Sequence, residues 1–384
     1  MSRAHSSTHG LRLVALFVLG AFALSMPLAA RADESSGRWT GQVSLWGNYY
    51  WETSTRVEAP GASFRLSSPE GIDIHGEYLL DAITSASVAA GVSSDVRFTE
   101  IRNQGSIGFG HEFDLGGEQL RLDVSSRVSV EPDYVATGVT LSGVLSMAER
   151  CSLLGFSLGY IHDDVGSVIQ GAGSALSNRG RVGQLEGVQA GISFTQILGP
   201  TSYAVLGYDL VHNYGFIQNA YRQVQVAGGL TPEHHPALRT RHSFYGRLAW
   251  IVPESDTAFH LLYRVYVDDW GIGALTPEAR IYQGVGRGVY LRLRYRYYNQ
   301  LHAFFAPPIA GYSLTDQFVT ADQKMMAFEN HLFGLHLLLP LHFLSETPLA
   351  FLEQGRFILS GDYYLQGSRF GDAVIVQAGV EVPF

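Results

Sequence analysis

Residues 373–384, the C-terminal segment, read AVIVQAGVEVPF. Apolar residues recur at every second position, and the last of them is the C-terminal phenylalanine: Val374, Val376, Ala378, Val380, Val382 and Phe384. Because successive side chains of a strand point to opposite faces, these residues form one face of an extended strand. The segment therefore predicts a strand with an apolar face that runs to the end of the chain.

The same alternation recurs along most of the chain in runs of about ten residues. That is the length of a tilted membrane-spanning strand, whereas strands of soluble proteins are usually nearer five or six residues. The pattern predicts sixteen strands, at 41–51, 56–68, 71–81, 98–113, 119–131, 135–146, 151–163, 184–196, 201–213, 239–251, 257–268, 271–283, 288–298, 325–339, 355–366 and 373–384.

The connections between these strands alternate in length. Tight turns such as 68–71 and 115–118 alternate with a set that includes longer loops, at 82–97, 164–183, 214–238 and 299–324. Short periplasmic turns and longer external loops are typical of outer-membrane barrels. We therefore predict an all-β fold, a transmembrane antiparallel up-and-down β-barrel of about 16 strands, with both termini in the periplasm.

Export and assembly signals agree with this location, the outer membrane of a Gram-negative bacterium. Residues 1–32 resemble a secretory signal peptide, with Arg3 and Arg12 before an apolar core at 13–24 and Ala30-Arg31-Ala32 before the predicted cleavage site. Residues 33–384 would then form the barrel. The apolar positions Val380 and Val382, followed by the terminal Phe384, resemble the signal that the barrel-assembly machinery reads, so that machinery is an expected partner alongside the lipid bilayer.

Composition excludes several other classes of function. The chain has a net charge of −9, which becomes −12 when Arg3, Arg12 and Arg31 leave with the signal peptide, so nucleic acid is not an expected partner. Cys151 is the only cysteine, so no intrachain disulfide can form. The region beyond residue 32 contains no uninterrupted apolar run of helix-spanning length. We therefore expect strands, and not helices, to cross the membrane.

Alternation also predicts which side chains face the lumen. An arginine that faced lipid at mid-membrane would cost ~2–4 kcal/mol, so the arginines of four adjacent strands should point inward. The predicted basic, tyrosine-rich wall comprises Arg239, Arg241, Tyr245, Arg247, Arg264, Tyr266, Asp268, Glu278, Arg280, Arg292, Arg294 and Arg296. The first strands should present a more acidic wall that includes Asp73, Glu77 and Asp81.

Two walls of opposite charge favour a channel for small polar or anionic solutes. The alternative is a non-conducting scaffold, with a filled lumen, that anchors a periplasmic or surface partner. An outer-membrane hydrolase is a weaker alternative, because no spacing of Ser, His and Asp selects a catalytic trio. We therefore predict no enzymatic activity, no catalytic residues, no cofactor and no metal.

A few segments fit these patterns less clearly. His162-Asp163-Asp164 and His234-His235-Pro236 lie at loop edges, where we expect solvated side chains and not metal ligands. Trp270, in the turn after Asp268, suits a membrane interface. The loops 214–238 and 299–324 could fold into the lumen. The segment 337–343 is apolar on both faces and contains Pro340, so it could be an extended turn or a short helix.

Several segments together resemble a family of bacterial outer-membrane barrels known only as a domain of unknown function. They are YLLDAITSAS at 78–87, FTEIR at 98–102, EPDY at 131–134, NAYR at 219–222, RTRH at 239–242, DDWGI at 268–272 and RYRYY at 294–298. The resemblance implies the barrel and its location. It implies no activity and no catalytic residues, and the segment 337–343 departs from the family pattern.

Overall fold

A computed structural model describes residues 37–53, 55–86, 97–170, 176–308, 311–367 and 371–384. Sixteen strands in these ranges form one closed antiparallel barrel, which confirms the predicted fold class. The predicted signal peptide at 1–32 lies outside the described residues. In the described part of the chain, no helix is long and apolar enough to cross a membrane.

Each of the sixteen predicted segments contributes one barrel strand, and a further small hairpin lies in a loop. The strands are β1 Thr40–Glu52, β2 Thr55–Ser67, β3 Ile72–Ala86, β4 Arg97–Asp114, β5 Gln119–Val130, β6 Tyr134–Met147, β7 Ser152–Gln170, β8 Leu176–Gly199, β9 Ser202–Gly215, β10 Gln223–Val226, β11 Gly229–Pro232, β12 Leu238–Val252, β13 Thr257–Asp268, β14 Gly273–Gly284, β15 Tyr290–Gln300, β16 Phe328–Pro340, β17 Arg356–Gln366 and β18 Ala373–Pro383. Strands β10 and β11 form a separate two-stranded sheet, so the barrel order passes directly from β9 to β12.

The outer surface of the barrel is apolar. Phe244, Leu261, Leu293 and Phe333 are each about half exposed on this surface, although they are large hydrophobic residues. They alternate along their strands with the arginines and other polar residues of the inner face. An outward apolar band around a polar interior is the arrangement that a lipid bilayer requires of a barrel.

The C-terminal strand closes the barrel against the N-terminal strand. Gly41 and Phe384 exchange two backbone hydrogen bonds, of 2.7 and 2.8 Å. A Cβ atom on Gly41 would overlap the ring of Phe384, so the glycine leaves room for that ring beside β1. The stripe read from the last twelve residues is thus the sixteenth barrel strand, paired with β17 and β1.

Several predicted boundaries were wrong, most of all between β7 and β8, and one open question is answered. The predicted loop 164–183 is largely a continuation of β7 and β8, which extend as a long hairpin with register shifts at Val165, Gly166 and Val168. The apolar residues from 337 to Pro340 belong to β16. The following connection to β17 contains two short 3₁₀ helices, His342–Leu344 and Ala350–Leu352.

Two long loops pack together into a cap at one end of the barrel. They are residues 216–237, which contain β10 and β11, and residues 301–308 with 311–327. One apolar core of the cap comprises Val224, Val226, Tyr312 and Val319. A second core joins the cap to the β13–β14 turn and comprises Trp270, Ile272, Ala303, Phe305 and Met325. The expected position of Trp270 at a membrane interface is therefore wrong, because packing against the cap leaves it 1% exposed.

Candidate solute chamber in the lumen

A cavity of about 1270 Å³ lies between the barrel wall and the cap, and we call it the chamber. Residues from β1, β6 and β12–β18 contribute to its surface, so it extends across the barrel. The cap segment 217–222 forms another part of its surface. Loop 214–238 therefore folds inward at this segment, as the sequence allowed. The charged side chains of the chamber are Glu52, Glu131, Asp133, Arg222, Arg239, Arg241, Arg264, Arg296, Asp322 and Lys324.

The end of the basic wall next to the cap is fixed by an ion pair. Arg239 donates two hydrogen bonds to Asp268, at 2.9 and 2.6 Å, and its guanidinium carbon lies 4.2 Å from the centre of the Trp270 ring. Tyr266 donates to the same carboxylate oxygen at 2.8 Å. Asp268 thereby compensates the charge of Arg239, while the indole orients its guanidinium.

A second group of charges lies on β14 and β15. Glu278 accepts hydrogen bonds from Arg280 and from Arg294, the latter at 3.0 Å. Arg294 also lies 3.7 Å from Asp362 on β17. Arg280 and Arg294 face each other directly across the two strands, so the shared carboxylates reduce the repulsion between them.

Among the described residues, no carboxylate pairs directly with three arginines of the chamber, Arg241, Arg264 and Arg296. Arg264 donates to the hydroxyl of Ser243, and Arg296 donates to the hydroxyl of Tyr364. In the described ranges, Arg241 has no carboxylate within ion-pair distance, and the buried Nε atoms of Arg241 and Arg296 have no hydrogen-bond partner. Such groups can still donate hydrogen bonds to an anion that enters the chamber.

The remaining residues of the predicted basic wall lie on the inner face by register. Tyr245 lies across β9, where only a glycine, Gly207, leaves room for its ring. Arg247 lies opposite Val205 and Leu262, and Arg292 lies opposite Tyr282 and His336. Neither of these two arginines borders the chamber.

The predicted acidic wall is largely compensated by arginines. Asp73 accepts from Arg65 at 3.1 Å and lies 3.2 Å from Arg121, and Asp81 accepts from Arg102. The two aspartates are only 3% and 5% exposed. Glu77 lies between Ser63 and Ser106 on the neighbouring strands. The charges along this wall therefore alternate in sign, because the neighbouring strands carry the compensating guanidinium groups.

Tyrosines surround the chamber, and several of their hydroxyl protons are already committed. Tyr50 donates to Glu52 at 2.6 Å, Tyr134 donates to Asp163 at 2.5 Å, and Tyr298 donates to Gln300 at 2.5 Å. These bonds fix the rings and leave the hydroxyl oxygens as acceptors. Fixed side chains make the walls of the chamber a preorganised surface.

Buried charges hold the two loops of the cap together. Glu233 accepts from Arg222 at 3.1 Å and from Thr320 at 2.6 Å, and His235 lies 3.2 Å away. Arg222 also lies 3.0 Å from Asp322 of the other loop. Burial alone would raise the pKa of Glu233, but its contact with His235 and the charge of Arg222 outweigh burial and hold that pKa at about 2. The carboxylate therefore remains ionised in the folded cap.

The two histidine segments have different environments. His162 lies on the outer face of β7, within 3.8 Å of Asp164 and of Glu186, with partial exposure as expected. His235 was expected to be solvated, but it is 4% exposed and packs against the rings of Trp270 and Phe305. Within the described residues, no group of three or more His, Cys, Asp or Glu side chains could hold a metal ion.

Comparison with known proteins gives a family. A family profile described as "Protein of unknown function (DUF3570)" matches residues 81–368. No curated protein matches the chain. Among solved structures, the chain is similar to OprD of Pseudomonas aeruginosa, at 9% identity and a TM-score of 0.43, with 91% of this chain and 97% of that chain covered. The outer membrane protein OpdK of the same organism gives 12% identity and a TM-score of 0.42, with 90% and 99% covered.

Proposed function

This chain belongs to the family described as "Protein of unknown function (DUF3570)", and we propose that it is an outer-membrane channel for small polar or anionic solutes. The observation that carries the proposal is the chamber of about 1270 Å³, which borders Arg241, Arg264 and Arg296. Within the described part of the chain these guanidinium groups have no paired carboxylate, so they are available to a passing anion. The proposed activity is passage of the solute without chemical conversion.

Small side chains on part of the inner face support an open lumen. On β7 and β8 the inner face carries Gly155, Ser157, Gly191 and Ser193, which border a further recess of about 250 Å³. Such residues occupy little of the interior, and a sixteen-stranded barrel is in general wide enough to hold an aqueous channel. The bulky side chains of the opposite sectors can therefore project into the lumen without filling its whole cross-section.

The distribution of charge supports a preference among solutes. In the strand order, β12–β15 lie across the barrel from β2–β5. The first group of strands carries an excess of arginines, whereas Asp73 and Asp81 on the second group are neutralised by neighbouring guanidinium groups. An anion that crosses this section should remain near β12–β15, where its charge is stabilised.

The non-conducting scaffold remains as a second candidate, because the cap extends over the mouth of the barrel. Tyr221 of the cap donates a hydrogen bond to Asp133, in the turn between β5 and β6. A cap that never opened would leave a barrel that serves only to anchor another protein. The proposed partners of the channel are the bilayer, the barrel-assembly machinery and small solutes, whereas the scaffold would require a periplasmic or surface protein.

Single-channel recording separates these two candidates. The full-length mature protein would be folded in detergent, checked for the heat-dependent gel shift of a closed barrel, and added to a planar bilayer in potassium chloride. If the protein is a channel, discrete current steps should appear. A folded preparation that gives no current, and that co-purifies with a defined protein from membrane extracts, would contradict the channel and favour the scaffold.

A further inference from the structure

The two sides of the chamber offer opposite hydrogen-bonding properties. The side formed by β12–β15 presents Arg241, Arg264 and Arg296, and guanidinium groups can only donate. The side formed by β1 and the β5–β6 turn presents the carboxylates of Glu52 and Glu131. In the strand order, β1 and the β5–β6 turn flank the sector opposite β12–β15. A molecule that spans the chamber therefore meets donors at one end and acceptors at the other.

The tyrosines strengthen this asymmetry. Tyr50 and Tyr134 belong to the acceptor side, and their hydroxyl protons are committed to Glu52 and Asp163. Their oxygens can therefore accept from a solute but cannot donate to it. In the described ranges, the side chain of Glu131 makes no hydrogen bond or ion pair with the protein. A solute that placed an acceptor or a second negative charge beside Glu52 and Glu131 would be repelled by the two carboxylates.

On the basis of the proposed function, we infer that the chamber binds a small carboxylate that carries a hydrogen-bond donor, an ammonium or hydroxyl group, at its opposite end. The carboxylate lies at Arg241, Arg264 and Arg296, and the donor lies at Glu131 and Glu52. The volume of about 1270 Å³ exceeds the usual size of a small-molecule site, so water accompanies the solute. The chamber should therefore select solutes by the pattern of their polar groups and not by their exact shape.

Three probes built on one scaffold test this pattern. They share a benzoate body and differ only at the para position: 4-(aminomethyl)benzoate carries a cationic donor, benzoate carries hydrogen, and terephthalate carries a second carboxylate. Calorimetry on the folded full-length barrel in detergent would give three dissociation constants. We expect the aminomethyl compound to bind about fivefold more tightly than benzoate, and terephthalate to bind most weakly. Terephthalate binding as tightly as the aminomethyl compound would overturn the inference.

Variants assign the two ends of the site. Arg296→Gln should weaken binding of all three probes, because it removes charge from the end that holds their shared carboxylate. Glu131→Gln should reduce only the advantage of the aminomethyl compound over benzoate. Arg292→Gln is the matched control, since Arg292 is an inward-facing arginine of the same strand that does not border the chamber. Equal effects of Arg296→Gln and Arg292→Gln would contradict the assignment.

Calorimetry does not depend on conduction, so the inference and the proposed function can fail separately. A barrel that conducts potassium chloride but binds the probes without the expected order would remain a channel and lose this site. A barrel that binds them in the expected order but never conducts would keep the site and lose the channel. The order of the three affinities on the unmodified protein tests the inference even if a variant fails to fold.

Discussion

The hydroxyl of Tyr221 donates a hydrogen bond to the carboxylate of Asp133, a residue 88 positions earlier in the chain. Tyr221 belongs to the cap, between β9 and β12, whereas Asp133 lies in the turn between β5 and β6. The contact therefore joins the cap to another sector of the barrel rim. Both residues border the chamber, so the bond links the cap to the chamber wall.

Loss of this bond should loosen the cap over the chamber. Tyr221→Phe removes only the hydroxyl, and we expect a larger mean conductance or more frequent transitions between current levels in planar bilayers. Tyr160→Phe is the control, because Tyr160 is an exposed tyrosine on the outer face of β7. Currents of Tyr221→Phe that match both the wild type and the control would show that the cap does not limit the current.

The charge of Glu233 should stabilise the folded cap. Glu233→Gln keeps the size of the side chain but removes the charge that pairs with Arg222, and we expect a loss of about 1–3 kcal/mol of local stability. Hydrogen–deuterium exchange of peptides that cover 217–238 and 312–325 would measure this loss. Glu254→Gln, in an exposed turn between β12 and β13, should leave the same peptides unchanged. Equal protection of the cap in both variants would contradict this role.

The same carboxylate predicts how the cap responds to acid. Its folded-state pKa, about 2, is lower than its ordinary value of 4.5. Its contribution to stability is therefore complete above pH 4.5 and is lost as the pH falls from there through about 2. Hydrogen exchange of the cap should remain slow from pH 7 to pH 5 and accelerate below that range, after correction for intrinsic exchange rates. A cap that opened between pH 7 and pH 5 would require another titrating group.

Gly215 allows the chain to leave β9 and enter the cap. Its φ is +116°, and a Cβ atom there would clash with the backbone oxygen of Gln184. Gly215→Ala should therefore lower the temperature at which the folded barrel is lost in a heat-shift gel. Gly229→Ala is the matched control, because Gly229 also has a positive φ, +132°, but open space at its Cβ position. An equal effect of both variants would mean that backbone conformation, and not the clash, sets the cost.

The barrel could be predicted from the sequence because each strand carries its own evidence. Alternation with a period of two is a local property, and the need to keep arginines such as Arg292 and Arg294 out of lipid fixes which face points inward. The boundaries of β7 and β8 were less predictable, since residues beyond the membrane need not follow the apolar pattern. Residues 164–183 therefore resembled a loop although most of the described ones are paired.

The chamber could be predicted only in part. The sequence indicated the inward arginines, but it gave no strand register, and register brings Arg65, Arg102 and Arg121 to the aspartates of β3. The cap was even harder to predict from the sequence. Its stabilising contacts, such as Glu233 with Thr320, join residues 87 positions apart without any repeating pattern. Burial of His235 and Trp270 follows from these long-range contacts and not from their neighbours in the chain.

The reversal potential under a potassium chloride gradient tests most directly whether Arg241, Arg264 and Arg296 favour anions inside an open channel. The wild-type barrel would be compared with a triple variant in which these arginines are glutamine, and with Arg292→Gln as the control. We expect discrete currents in all three folded proteins and a shift of the triple variant alone toward potassium selectivity. Currents with the same reversal potential in the wild type and the triple variant would contradict it.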